Sequence, residues 1–137
     1  PFHQDNYYWN VIDNKTVTLW LALDEVNESN GALSYYERSH KKGLIKHEAT
    51  FAKGTSQGVP KNILNDFDPE SLVIPNLEPG DILLHHGLTV HGSLPNKSEK
   101  NRRGMSFWYK SALAGYDEKL LSEYKKSLEE QKSKIYK

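Results

Sequence analysis

The chain has no cysteine, so its strong transition-metal ligands are six histidines and eighteen carboxylates. The tightest grouping is in the opening stretch "PFHQDNYYW", where one residue separates His3 from Asp5. On an extended segment residues i and i+2 share a face, so this spacing predicts a strand presenting an imidazole and a carboxylate side by side, with Gln4 turned away. Two ligands do not define a metal site, and a third must come from elsewhere. The candidates are His85, His86 and His91 in "LLHHGLTVHGS"; His40 and His47 fall in an irregular segment and read as loop polars. His91 stands out because Arg102 follows eleven residues later, at the start of the next strand-like run. Across a hairpin such an arginine can sit beside the same metal and grip a carboxylate with its rigid fork. Two histidines and one carboxylate leave open positions on one side of an ion, the arrangement that suits non-haem Fe(II) when it must also bind a cosubstrate and O2.

The elements that would position these groups can be read from the pattern. "TVTLWLALD" (16–24) is β-branched, aromatic and apolar, and predicts a buried strand. Asn30-Gly31 is a turn signal, so "ALSYYE" is expected to return as the second strand of a hairpin. Residues 39–70 show no sustained period and predict a long loop or lid. Pro79-Gly80 turns the chain, after which "DILLHH", "LTVHG" and "RRGMSFWYK" are strand-like; in this setting His85 and His86 read as strand residues. Beyond Gly115, Leu120, Leu121, Tyr124, Leu128 and Ile135 form a narrow apolar stripe on a charged amphipathic helix. The expected organisation is a mainly β core over residues 1–114, built as a barrel or jelly roll, and a C-terminal helix over 115–137.

Bulk composition narrows the partners. At 137 residues the chain is one domain. Eighteen basic and eighteen acidic residues cancel without a basic block, which predicts neither a nucleic-acid nor a membrane-surface partner. The lack of cysteine removes disulfides, thiolate zinc sites and cysteine nucleophiles, and fits a reducing, cytoplasmic location. No signal peptide or bilayer-spanning apolar run is visible. Position 1 is not Met, as expected of an excerpt from a longer sequence.

Taken in order, His3-Gln4-Asp5, "TLWLALDEVNESNGAL", "SHKKG" and "LEPGDILLHHGLTVHGSLPNKSEKNRR" resemble the phytanoyl-CoA dioxygenase family of Fe(II)- and 2-oxoglutarate-dependent oxygenases, ectoine-hydroxylase-like members included. Several ordered motifs carry the likeness, rather than one short pattern. It implies a double-stranded β-helix (a cupin-like jelly roll), incomplete at the N-terminus because the family has strands ahead of the His-x-Asp segment. It implies that His3, Asp5 and His91 are the iron ligands. Arg102 would bind the distal carboxylate of 2-oxoglutarate with help from the Ser93 hydroxyl, and Trp20 and Gln4 would be further cosubstrate-pocket residues. Arg103 is the rival of Arg102; strand parity does not separate them, and the spacing from His91 favours Arg102. Tyr7, Tyr8 and Trp9 stay open between core or rim aromatics and substrate contacts, with Tyr7 and Trp9 the substrate candidates. One departure is Glu37-Arg38, where family members commonly carry Pro-Gly before the Ser-His pair.

The implied activity is hydroxylation of a small molecule, with Fe(II) as cofactor, 2-oxoglutarate and O2 as cosubstrates, and succinate and CO2 as products. Asp5 favours hydroxylation, because related halogenases carry a small residue at that point. Self-association through an open barrel edge is also expected. The alternative is a non-oxidative, cupin-like metal-binding module or isomerase that uses the same three ligands for zinc or manganese. A catalytically inactive remnant is a third reading, favoured only by the short start. Arg102 and Ser93 discriminate, because a cosubstrate dicarboxylate gives that pair a purpose.

Overall fold

The computed structural model describes residues 1–52 and 55–135. Eight strands run in chain order as β1 (Thr16–Ala22), β2 (Leu33–Tyr36), β3 (Glu48–Ala52), β4 (Thr55–Gly58), β5 (Leu72–Val73), β6 (Ile82–His86), β7 (His91–Ser93) and β8 (Gly104–Lys110). Helices are α1 (Asn6–Trp9), α2 (Lys61–Leu64) and α3 (Glu118–Ile135). The strands form two antiparallel three-stranded sheets, ordered β6-β1-β8 and β5-β2-β7, and a separate β3-β4 hairpin.

Alternation on β1 sets the sandwich. Thr16, Thr18, Trp20 and Ala22 are buried on its inner face, while Val17, Leu19 and Leu21 point outward. Trp20 and Ala22 pack with Val26, Ala32 and Leu77, and with Leu33, Ile74 and Leu83 around them, which joins the two sheets. Gly104 lies flat against the Trp20 indole: a Cβ there would stand 2.0 Å from Cζ2. The outward face of the same sheet leaves Val17, Ile82, Leu84, Met105, Phe107 and Tyr109 exposed.

Three expectations are corrected. First, β1 and β2 do not pair as a hairpin; they lie in opposite sheets. Asn27 caps a 3-10 turn over Glu28–Asn30, and Gly31, at φ +85°, hands the chain across the sandwich. Both edges of β1 are taken by β6 and β8, and Trp20 and Ala22 pack face to face against Ala32 and Leu33. Second, residues 39–70 are not one loop, because β3, β4 and α2 lie inside them. Each element is too short to show a period, yet together they bury Gln57, Val59 and Phe67, the last two clustering with Val90. Third, only His91 and Gly92 of "LTVHG" are strand, since Thr89 N donates to His86 O in a tight turn just before them.

Helix α3 forms as the apolar stripe predicts. The Asp117 carboxylate accepts Leu120 N at 3.0 Å and caps its start. Leu120, Leu121, Tyr124 and Leu128 are half-buried, and Gln57 Nε2 donates to Ser127 Oγ at 2.7 Å, tying the helix to the β3-β4 hairpin. Among the described residues, no helix is long and apolar enough to cross a membrane.

Candidate metal centre

The chain enters the site from both ends of the sequence. His3 N donates to His91 O at 2.8 Å and His91 N returns the bond to His3 O at 3.0 Å, a single antiparallel bridge. Glycine at position 92 permits this approach, because a Cβ there would stand 3.0 Å from Pro1 O and 3.1 Å from Phe2 Cα. The expected strand through Asp5 is not formed. After the bridge the backbone turns, and the Asp5 carbonyl accepts Tyr8 N and Trp9 N at the start of α1. A bridge followed by one helical turn therefore aims His3 and Asp5 at the same point.

Convergence is tight. One ligand atom from each of His3, Asp5 and His91 lies within 4.8 Å of the other two. Asp5 Oδ1 is 3.5 Å from His3 Nε2 and 3.6 Å from His91 Nε2. Ligand bonds of about 2.0–2.2 Å place neighbouring donor atoms roughly 3–3.5 Å apart around one ion, close to this spacing.

The backbone also sets which nitrogen of each imidazole is free. His3 Nδ1 is 3.1 Å from Pro1 O and His91 Nδ1 is 3.0 Å from Thr89 O. A carbonyl only accepts, so both Nδ1 atoms carry the proton and both Nε2 lone pairs face the cluster. Burial works against charge on Asp5. The His3 imidazole beside Oδ1, the hydrogen bond from His85, the field of His91 and the Thr18 hydroxyl outweigh it, and the carboxyl lies far below its ordinary range. Burial, with His3 and His85 nearby, pushes His91 down to about 3. An ionised carboxylate and a neutral imidazole are the forms that bind a cation.

Residues 1–104 match the phytanoyl-CoA dioxygenase (PhyH) family over most of the chain. The chain belongs to the phytanoyl-CoA dioxygenase family. It is 32% identical over 120 residues to the peroxisomal phytanoyl-CoA dioxygenase of Rattus norvegicus, an alignment covering 85% of this chain and 35% of that enzyme. It is 32% identical over 117 residues to a probable alpha-ketoglutarate-dependent hypophosphite dioxygenase of Stutzerimonas stutzeri, covering 82% of this chain and 40% of that one. Among solved structures, EvdO2 from Micromonospora carbonacea var. aurantiaca, complexed with 2-oxoglutarate, superposes with a TM-score of 0.68 at 26% identity, covering 86% of this chain and 47% of that one. The chain thus spans between a third and two fifths of the length of these two curated relatives. The fold is the family's cupin-like jelly roll, and the family's cofactors are Fe(II) and 2-oxoglutarate. Two imidazoles and a carboxylate, in the protonation states described, fit that metal.

The other residues singled out in this dioxygenase-family sequence divide into two groups. Trp20 is buried in the core, with the Arg102 guanidinium 5.6 Å from its ring centre. Ser93 is half-buried at the end of β7, paired with Leu33. Arg103 is turned elsewhere: its Nη2 and Nε donate to the two Asp24 carboxylate oxygens at 2.7 and 3.0 Å. Those hydrogen bonds hold the Asp24 carboxyl at about 2. Gln4 is fully buried and its amide is committed to backbone, donating to Gly43 O and Leu88 O and accepting from Ile45 N.

Each of the three aromatics after Asp5 has a different neighbour. Tyr7 is buried, stacked on His47 at 4.1 Å, and meets Tyr124 of α3 edge-on. Tyr8 stands edge-on to His3 at 5.7 Å. Trp9 stacks on Trp108 of β8, whose register partner Thr18 hydrogen-bonds Asp5.

Two side chains at the centre, Thr18 and Tyr35, escaped the sequence reading, and a third, His85, was weighed there as a ligand and read as a strand residue. The Thr18 hydroxyl donates to Asp5 Oδ2 at 2.6 Å, His85 Nε2 is 3.0 Å from the same oxygen, and Tyr35 Oη is 3.2 Å from His85 Nδ1. Strand parity held the signal for two of them. Thr18 shares the inner face with Trp20, and His85 shares that of Leu83. His47, read as a loop polar, is buried and accepts Gln4 N at Nε2, and burial pushes it down to about 4.

Proposed function

We propose that this chain carries the metal- and cosubstrate-binding part of an Fe(II)- and 2-oxoglutarate-dependent dioxygenase that hydroxylates a small molecule and releases succinate and CO2. The observation that carries the reading is the pair of Nε2 lone pairs, fixed by backbone carbonyls, converging with Asp5 Oδ1 within 4.8 Å. His3, Asp5 and His91 would hold the iron. When bound, iron supplies the activation of O2 that is coupled to decarboxylation of 2-oxoglutarate.

The remaining roles belong to this chain's own side chains. Among the described residues Arg102 makes no ion pair, and its guanidinium lies over Trp20 at the edge of the inner sheet face. In this reading it is the cation that grips the distal carboxylate of 2-oxoglutarate, with Trp20 as an apolar wall and the Ser93 hydroxyl as a second donor to that carboxylate. Trp9 and Trp108, on the flank of Asp5 and Thr18, give a substrate an aromatic surface. The Arg102 assignment separates this reading from a non-oxidative metal-binding module.

Anaerobic titration tests it. Fe(II) followed by 2-oxoglutarate should give the weak visible charge-transfer band of the chelate with the wild type, and no band with His91→Ala or Arg102→Ala. Metal binding with no band in the wild type would overturn the oxygenase reading and favour the cupin-like module.

A further inference from the structure

One imidazole outside the ligand set touches the centre. His85 is buried on β6, in register with Thr18, and its Nε2 lies 3.0 Å from Asp5 Oδ2. An ionised carboxylate only accepts, so His85 Nε2 carries the proton and donates it. In the neutral imidazole Nδ1 is then an acceptor, and the Tyr35 hydroxyl donates to it at 3.2 Å. Tyr35 is held in turn, its ring stacked on His91 at 5.7 Å and tilted against His85 at 5.3 Å. The direction of every proton along Tyr35, His85 and Asp5 follows from the last acceptor.

The two Asp5 oxygens are consequently unlike. Oδ2 takes two hydrogen bonds, from Thr18 and from His85, whereas Oδ1 faces His3 and His91. A free carboxylate can offer a metal one oxygen or two. An octahedral ion has six positions; three protein donors and a chelating 2-oxoglutarate fill five, and a second Asp5 oxygen would take the last.

Resting on the metal reading above, we propose that His85, oriented by Tyr35 and acting with Thr18, is a positioning residue that holds Asp5 as a one-oxygen ligand and so keeps a coordination position open. His85 acts through Asp5 and is not itself a ligand.

The test uses Co(II) as the probe, because its visible d–d bands report coordination number without turnover. The wild type, His85→Phe, His85→Gln and Tyr35→Phe are titrated with Co(II), then with 2-oxoglutarate, and thermal unfolding is followed alongside. His85→Phe removes both hydrogen bonds, and the Co(II) dissociation constant should rise about ten- to a hundredfold with an altered band. His85→Gln restores a donor to Oδ2 and should recover the wild-type band, while Tyr35→Phe, which deletes only a hydroxyl, should give a smaller shift in the direction of His85→Phe.

Unchanged bands and affinity in both His85→Phe and Tyr35→Phe would overturn the assignment. So would His85→Gln behaving like His85→Phe while Tyr35→Phe stays at wild type, the signature of a ligand or a packing residue. If His85→Phe does not fold, Tyr35→Phe and His85→Gln decide the matter by the same criteria. A wild type that binds no Co(II) would overturn the metal reading itself, and this assignment with it.

Discussion

Gln4, between His3 and Asp5, distinguishes bracing from binding. Its side chain is fully buried and makes three hydrogen bonds to backbone, to Gly43 O at 2.9 Å, to Leu88 O at 2.7 Å and from Ile45 N at 2.8 Å. Gln4→Leu keeps much of the volume and leaves those three groups without partners. Each buried polar group so abandoned costs about 1–3 kcal/mol. Leu88 is buried and bears the full cost, while Gly43 and Ile45 are half-buried and can recover part of it from water. The sum is about 3 kcal/mol, a large share of the roughly 5–15 kcal/mol that holds a domain together. Urea unfolding followed by fluorescence of the three tryptophans reads it directly. With a slope of about 2 kcal/mol/M the midpoint should fall by about 1.5 M. If Gln4 instead belongs to the cosubstrate pocket, the midpoint would stay within about 0.5 M of wild type and 2-oxoglutarate affinity would drop. That pattern would refute the brace.

Other consequences can be checked in the same way. Burial holds His47 at about 4 in the fold, against an ordinary value of 6.5, so its neutral form is the stabilising one. The unfolded chain takes the proton first; stability is fully present above pH 6.5 and about 3 kcal/mol is lost as pH falls from 6.5 through 4. His47→Gln should flatten that part of a stability-pH profile, and parallel profiles for the two proteins would contradict the assignment. Gly104→Ala drives a methyl into the Trp20 indole and should cost about 1–3 kcal/mol by thermal or urea unfolding, an expectation undone by a stability equal to wild type. Gly92→Ala pushes the segment carrying His3 away from β7, so it should weaken Co(II) binding more than it weakens the fold, as paired titration and melting would show. Arg103→Ala should leave 2-oxoglutarate affinity at the wild-type value, since that guanidinium is engaged by Asp24.

The grouping of His3, Asp5 and His91 was legible in the sequence because it is carried by short motifs. Asp5 reaches the same point as His3 by a helical turn rather than by strand alternation, so the pairing was right and the local geometry was not. Periodicity located β1, β6, β8 and α3, each five or more residues long. It could not tell that β2 crosses to the other sheet. Asn30-Gly31 marks a turn in either topology, and which sheet receives the chain depends on how Trp20 and Ala22 pack. The β3-β4 hairpin was hidden because its strands are short and its burial comes through Gln57, a polar residue satisfied by Ser127 of α3. The approach of His85 to Asp5, and of Tyr35 to His85, stayed out of view for a related reason. Each is one residue on a strand, and they meet only when β6 and β2, from opposite sheets, close on the same centre.

The carbonyls that orient His3 and His91 come from Pro1 and Thr89, each two residues before the imidazole it holds. Both rings are thus aimed by their own local backbone, and the ordering of the ligands is completed when the chain folds. If these side chains hold a metal as proposed, an arriving cation has only its hydration shell to shed, and its loading rate should be set by water exchange on the ion rather than by chain rearrangement. Rapid-mixing experiments should then rank divalent ions by how fast each loses water, with the protein contributing the same small term to all of them.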